Sequence, residues 1–407
     1  MKGVTLESQK GHTIYTFRGI PYAEPPIGPL RFKDPVPKSK WSGVLDATDD
    51  GFTCPQYEVL FKNLNQSEDC LILNVYSRNL NGNAPVMFYL HGGGHLFGTS
   101  NSNTLGPRFT GTEEATGNYL FKDVILALKW VRDNIKSFGG NPECVTVFGH
   151  SAGSLQTTTL LVSPLSRGLF HRAIGMGGSS TATHSLKSKY WTMKMAEDIG
   201  CGNEANVIEC MRKVPWETIR AASNKWEEGS LITLRFNFEI EQDFGQEIYL
   251  SAHPNEYFEN GDFERIPIMM SQTKNEFECL AAFVFYSEAF KPIIEQVNTD
   301  FEKIAPALYG AMHGDEVQYL FNFKEAGYIE PGSKDETIMD LMTGIFTRFA
   351  ATGNPNEPGK EDMWKPSNSN GFSMAFIDIP DGNGNIQTGN KDPAEERYRI
   401  WDELFNL

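Results

Sequence analysis

The chain has 407 residues, 40% of them hydrophobic and 12% aromatic, enough to bury a large core in one big α/β domain or in two smaller ones. Its 52 acidic residues against 36 basic give a formal net charge of −16, which repels phosphate backbones and anionic lipid, so nucleic acid is not expected as a partner. Apolar runs such as Leu280 to Tyr286 are too short to cross a bilayer, so no transmembrane segment is expected.

Taken from its start, the chain opens with MKGVTLESQKGHTIY, which lacks the apolar core of a signal peptide; this chain is expected to carry no export signal of its own. Cys54 and Cys70 flank a polar loop, and Cys201 and Cys210 flank another, at separations that favour local bridges. A Cys54–Cys70 bridge would constrain the unfolded chain by about 3 kcal/mol. Asn65-Gln66-Ser67 is a glycosylation sequon inside the first loop. Together these features point to a secreted or extracellular protein, against the alternative of six buried thiols in the cytosol; Cys144 and Cys279 are left over.

Apolar strands are predicted at Leu71 to Tyr76, Val86 to Leu90, Val145 to Phe148, more weakly at Ala173 to Met176, and at Ile266 to Met270. Helical patterns fall between them at Asp123 to Ser137 and Ser154 to Val162. Alternating strands and helices imply an α/β fold whose mostly parallel sheet is covered by helices on both faces, with its chemistry at the strands' C-terminal ends. The loop-like tracts Gly98 to Gly111, Gly353 to Gly359 and Asp381 to Asp392 are short and there is no repeat, so residues 1–407 read as a single domain.

Two of those strand ends carry chemistry-bearing motifs. Val145 to Phe148 runs into Gly149-His150-Ser151-Ala152-Gly153, a G-x-S-x-G elbow between a strand and a helix, which presents Ser151 as a nucleophile. Val86 to Leu90 runs into His91-Gly92-Gly93-Gly94, where backbone N–H groups can approach a substrate without a Cβ in the way. A triple glycine by itself can be a plain turn. Upstream of an elbow serine it reads as an oxyanion hole, with Gly93, Gly94 and Ala152 as donors.

A serine nucleophile on such an elbow takes an acid and then a histidine further along the chain. Of the eight histidines, His12, His91 and His95 precede Ser151, His150 is inside the elbow, His171 follows Leu169-Phe170 and reads as a packed or surface histidine, and His184 and His253 have no strand-end carboxylate before them. His313 does. The strand Ile266 to Met270 opens into a polar turn ending in Glu276, the candidate acid, with Glu278 as a near alternative. By position alone, His313 beside Gly314-Asp315-Glu316 is as readily a surface histidine.

These residues resemble the type B carboxylesterase and cholinesterase family, insect carboxylesterases in particular, along nearly the whole chain. Phe17 to Pro26 resembles the family's opening segment, Glu68 to Val75 its cysteine signature, and Phe138 to Gly153 its serine signature; GIFTRFAATGNPN and RYRIWDELF resemble its C-terminal helices. The resemblance implies an α/β-hydrolase fold and a carboxylic ester hydrolase without metal or cofactor, acting on a small-molecule ester. It implies a triad of Ser151, Glu276 and His313, an oxyanion hole of Gly93, Gly94 and Ala152, and disulfides Cys54–Cys70 and Cys201–Cys210.

The sequence also departs from the family. After the oxyanion glycines the family has a strand and an Asn-Tyr-Arg loop, but Gly98 to Tyr119 passes from a polar loop straight to Gly117-Asn118-Tyr119. Between Glu276 and His313 the family's long insert, with the strand that delivers the histidine, has no counterpart. One or two family strands are therefore expected to be lacking. Phe277 stands where the family has a glycine, and Gly177 replaces a serine that supports its triad. The alternative reading is a catalytically impaired or inactive homologue acting as a binding or adhesion protein, since the family includes adhesion domains without catalysis.

Overall fold

The structure, a computed structural model, describes residues 1–56, 64–96, 98, 110–182, 188–227, 237–273, 276, 313–321, 329–360, 364 and 366. Two compact units are present, Met1–Asp315 and Glu316–Leu407.

The first unit holds two sheets. Strands β1 (Val4–Glu7), β2 (Thr13–Pro21) and β3 (Ile72–Ser77) form an antiparallel sheet in sequence order. Strands β4 (Ala84–Leu90), β5 (Gly140–His150), β6 (Arg172–Met176) and β7 (Ile268–Ser271) form a parallel sheet, also in sequence order. The crossovers carry helices, among them α1 (Tyr119–Asn134) and α2 (Ala152–Leu160), as parallel pairing requires. On β5 the residues Val145 to Gly149 are all buried, the pattern of a central strand covered on both faces rather than one facing water.

Helix α1 turns Leu120, Phe121, Val124, Ile125, Leu128 and Val131 into the main core, beside Val145 and Val147 of β5. Helix α2 is buried along its whole length, although it carries Thr157, Thr158 and Thr159. Each threonine hydroxyl donates to a carbonyl of the preceding turn, at Gly153, Ser154 and Gln156, so none is buried without an acceptor. A second apolar cluster gathers Met195, Ile208, Met211 and Ile219 from helices α3 (Ser188–Asp198), α4 (Val207–Lys213) and α5 (Trp216–Glu227), with Cys201 inside it. Arg31 locks this cluster to the N-terminal part of the chain. It makes a two-bond ion pair with buried Glu68 and donates to the carbonyls of Met211, Arg212 and Val214.

Every strand predicted in sequence is present within a few residues, while β1 and β2 were not predicted. The period-two pattern of β2 is broken because the β2–β3 register slips between Phe17 and Ile20, around Gly19, and β1 is a four-residue strand with three exposed residues. Helix α1 starts earlier than Asp123 because Asn118 takes a left-handed φ of 58° there, its side chain bonded to Glu239 and Glu241. Both expected disulfides are formed, Cys54–Cys70 with Cα atoms 5.1 Å apart and Cys201–Cys210 with 5.7 Å. Cys144 accepts a bond from Arg172, and Cys279 lies outside the described residues. Among the described residues, no helix is long and apolar enough to cross a membrane.

The second unit contains helices Val317–Leu320 and Lys334–Thr352. The longer one is capped by Ser333, whose side chain accepts from the Glu336 N–H, ends at Gly353 with φ of 79°, and buries Ile338, Met342, Ile345, Phe346 and Phe349. It contains the start of the GIFTRFAATGNPN segment; RYRIWDELF lies outside the described residues.

Candidate active site

The chain leaves β5 at His150, reverses at Ser151, and enters α2 at Ala152. Ser151 has φ 58° and ψ −121°, a strained conformation for a residue with a Cβ. The two flanking glycines make this reversal fit. A Cβ at Gly149 would fall 2.3 Å from the Gly153 carbonyl, and one at Gly153 would fall 2.0 Å from the Leu90 oxygen. The elbow thereby packs directly against the end of β4. The Ser151 N–H is tied to the Met176 carbonyl at 2.8 Å, and the Ser151 side chain makes no capping bond to α2. Ala152 is the first residue of α2, so its N–H is one of the four without an intrahelical acceptor, at the positive end of the helix dipole.

Beyond β4 the backbone turns through positive φ at Gly93 (110°), Gly94 (62°) and His95 (60°), closed by the Leu96 N–H on the Gly93 carbonyl at 2.9 Å. This loop lies against the elbow: a Cβ at Gly92 would sit 3.0 Å from the Ser151 Cβ. The His91 imidazole is held below its ordinary value by burial, against the opposing pull of its 2.7 Å contact with the Gly92 carbonyl.

His313 and Glu276 form the second half of the site. Nδ1 of His313 lies 2.5 Å from Oε2 of Glu276, with side-chain exposures of 24% and 18%. The other carboxylate oxygen accepts the Thr273 N–H at 2.6 Å. Burial resists the charge on Glu276, but the bonds from His313 and Thr273 outweigh it and hold its carboxyl below the ordinary value. A charged carboxylate on Nδ1 fixes the imidazole tautomer, leaving Nε2 as the basic nitrogen.

The Gly177-Gly178 turn after β6 touches both halves. A Cβ at Gly177, where φ is 59°, would lie 3.0 Å from His313 Nδ1 and 3.2 Å from Glu276 Oε2, and one at Gly178 would lie 2.6 Å from the Ser151 carbonyl oxygen. His150, beside Ser151, packs its ring 4.5 Å from that of His313 at 42°. Burial and the facing His313 push the His150 imidazole down to about 4, against the attraction of Glu276. Thus Ser151, Glu276, His313, Gly93, Gly94 and Ala152, all named from sequence, come to the C-terminal ends of β4, β5, β6 and β7. Glu278 and Phe277 lie outside the described residues. Sequence reading set His150 aside as part of the elbow and gave no role to Thr273; nothing in a local pattern marks a ring or an amide that becomes important only across a fold. Among the described residues, no group of three or more His, Cys, Asp or Glu side chains is placed to hold a metal.

Comparison with known proteins decides the family. The carboxylesterase family profile matches residues 1–109, 102–305 and 293–401. The chain belongs to the carboxylesterase family. The junctions between matched segments, near 102–109 and 293–305, fall within the two tracts where a family strand and a family insert are expected from sequence to be lacking. Human cocaine esterase is 32% identical over 65% of this chain and 52% of the relative, and juvenile hormone esterase of Tribolium castaneum is 31% identical over 73% and 56%. Mouse cholinesterase is 34% identical over 87% of this chain and 78% of the relative. That last alignment runs over 474 residues, more than the 407 of this chain, so the relative carries internal segments that this carboxylesterase family member lacks. The chain spans about half the length of the first two of these curated relatives. In fold it superposes on the crystal structure of juvenile hormone esterase from Manduca sexta with a TM-score of 0.82 and 22% identity, covering 100% of this chain and 98% of that one. The fold is therefore the α/β-hydrolase fold expected from sequence.

Proposed function

We propose that this chain hydrolyses small-molecule carboxylic esters through an acyl-enzyme intermediate. Ser151 attacks the ester carbonyl while Nε2 of His313 takes the hydroxyl proton. Glu276 stabilises the imidazolium that forms, and the N–H groups of Gly93, Gly94 and Ala152 receive the oxyanion. The imidazolium then gives its proton to the departing alcohol. Water repeats the cycle on the acyl group and regenerates Ser151. Nucleophile, base and electrostatic stabilisers all come from this chain's own residues, so the reading needs no cofactor.

The observation that carries the proposal is the 2.5 Å His313–Glu276 contact packed on the same Gly177-Gly178 turn that closes over Ser151. Retention of carboxylesterase family sequence through the elbow and the glycine loop supports it. The two disulfides, together with the exposed Asn65 sequon, support a secreted, glycosylated protein. The test is hydrolysis of p-nitrophenyl acetate and butyrate by the purified chain. Activity that disappears in Ser151→Ala and in His313→Ala supports the proposal; a folded wild-type chain that turns over neither ester contradicts it.

A further inference from the structure

The loop that ends β4 is held at its far end by a side chain from a distant part of the sequence. Gln56 is 3% exposed, and its amide makes a two-bond pair with the backbone of Gly98. Its Nε2 donates to the Gly98 carbonyl and its Oε1 accepts the Gly98 N–H, each at 2.6 Å. The same Nε2 donates to the Cys54 carbonyl at 3.3 Å, and the Gln56 N–H donates to Oε1 of Gln66 at 2.8 Å. Gln56 is thus anchored in the base of the Cys54–Cys70 disulfide loop, where Thr53 also bonds the backbones of Asn65 and Ser67 and where Glu68 pairs with Arg31. Two parallel bonds from a planar amide fix both the position and the tilt of the peptide they hold, which one bond would not.

What Gln56 fixes at Gly98 reaches the oxyanion donors through packing. Gly98 lies flat on the His91 ring: with φ at 147°, a Cβ there would fall 2.2 Å from ring atoms Nδ1 and Cε1. His91 in turn contacts the Gly92 carbonyl, and Leu96 closes the turn on Gly93. A shift of Gly98 would release the His91 ring and, with it, the carbonyl of Gly92 and the orientation of the next two N–H groups.

We propose that Gln56 is a positioning residue that presets the oxyanion loop by clamping Gly98 over His91. The catalytic part of this inference rests on the ester-hydrolase reading, whereas the clamp itself does not. Loss of an oxyanion donor outright costs about 10²–10³ in rate; a donor left in place but no longer preset should cost about tenfold, in kcat rather than KM, because the ground-state ester does not yet carry the oxyanion.

The experiment compares wild type with Gln56→Met, which removes the amide at similar volume, and Gln56→Asn, which keeps the amide but cannot span to Gly98. Two readouts are taken: amide hydrogen exchange across residues 91–98, and steady-state kinetics on p-nitrophenyl butyrate with the affinity for a trifluoromethyl ketone that mimics the tetrahedral adduct. The expected result is faster exchange at 91–98 in both variants, kcat lower by about tenfold with KM within about twofold, and weaker ketone binding in proportion to kcat/KM. Unchanged exchange at 91–98 in both variants overturns the proposal whatever the activity. Faster exchange with unchanged kcat and ketone affinity also overturns it, since the residue would then be a scaffold of the disulfide loop alone. A wild-type chain without esterase activity defeats the ester-hydrolase reading, and the exchange result then decides the clamp by itself.

Discussion

Replacing His150 with glutamine should remove much of the acid sensitivity of folding. The His150 imidazole is pushed down to about 4 by burial and by the facing His313 ring, with Glu276 pulling the other way; Gly92 and Gly314 contribute only backbone to its surroundings. An imidazole in the unfolded chain titrates near about 6.5. Between those two values the unfolded chain binds the proton and the folded chain does not, so stability is intact above about pH 6.5 and falls as pH drops towards about 4. Each pH unit in that window corresponds to about 1.4 kcal/mol, for a ceiling of about 3 kcal/mol, and partial solvent access to the ring reduces this to about 2 kcal/mol. Burial of His91 acts in the same direction and persists in the variant. The assay is urea unfolding of wild type and His150→Gln at pH 7.5 and pH 4.5 at fixed ionic strength. Wild type should lose about 2 kcal/mol more than the variant on acidification. Equal losses in the two proteins would refute the reasoning that places a neutral, buried imidazole against His313.

Gly177→Ala forces an L side chain into a left-handed conformation and places its Cβ 3.0 Å from His313 Nδ1; the backbone term is about 1–2 kcal/mol. Thermal unfolding should register that cost, and kcat should fall by about tenfold or more as the imidazole is displaced. Glu276→Gln keeps the shape but removes the charge opposite His313. On ester substrates kcat should fall by about 10³–10⁴ with KM little changed, as judged by saturation kinetics. Arg31→Met leaves the Glu68 carboxylate buried without its guanidinium and withdraws a donor from three carbonyls. A loss of about 3–5 kcal/mol is expected in chemical denaturation, with the kinetic constants of the folded fraction unaltered.

The legibility of this protein in its sequence followed the range of each interaction. Strands such as Val145 to Phe148 are buried on both faces, so their apolar runs announce them; β2 carries a register slip against β3 that erases its alternation, and the four-residue β1 buries too little to leave an apolar pattern. The elbow was legible because Gly149, Ser151 and Gly153 must stand at that spacing for the backbone of α2 to pass Leu90. Glu276 and His313 are loop residues whose contact spans many positions; strand-end position and chain order pointed to them, and resemblance to a family was needed to prefer a site over a surface reading of His313. His150, Gly177 and Gln56 show the limit most clearly. Their importance lies in ring packing, a missing Cβ and a two-bond amide pair, none of which leaves a periodic or spaced signal. The two tracts expected to lack family segments contain the junctions of the family match, and most of their residues lie outside those described.

The most direct measurement of the central claim is stoichiometric reaction with an organophosphate, read by intact mass and by sequencing the modified peptide. The account predicts one phosphoryl adduct per chain on Ser151, absent in Ser151→Ala and slowed severely in His313→Ala. A folded chain that takes up no adduct, or takes it up on another residue, would contradict an activated serine at this elbow.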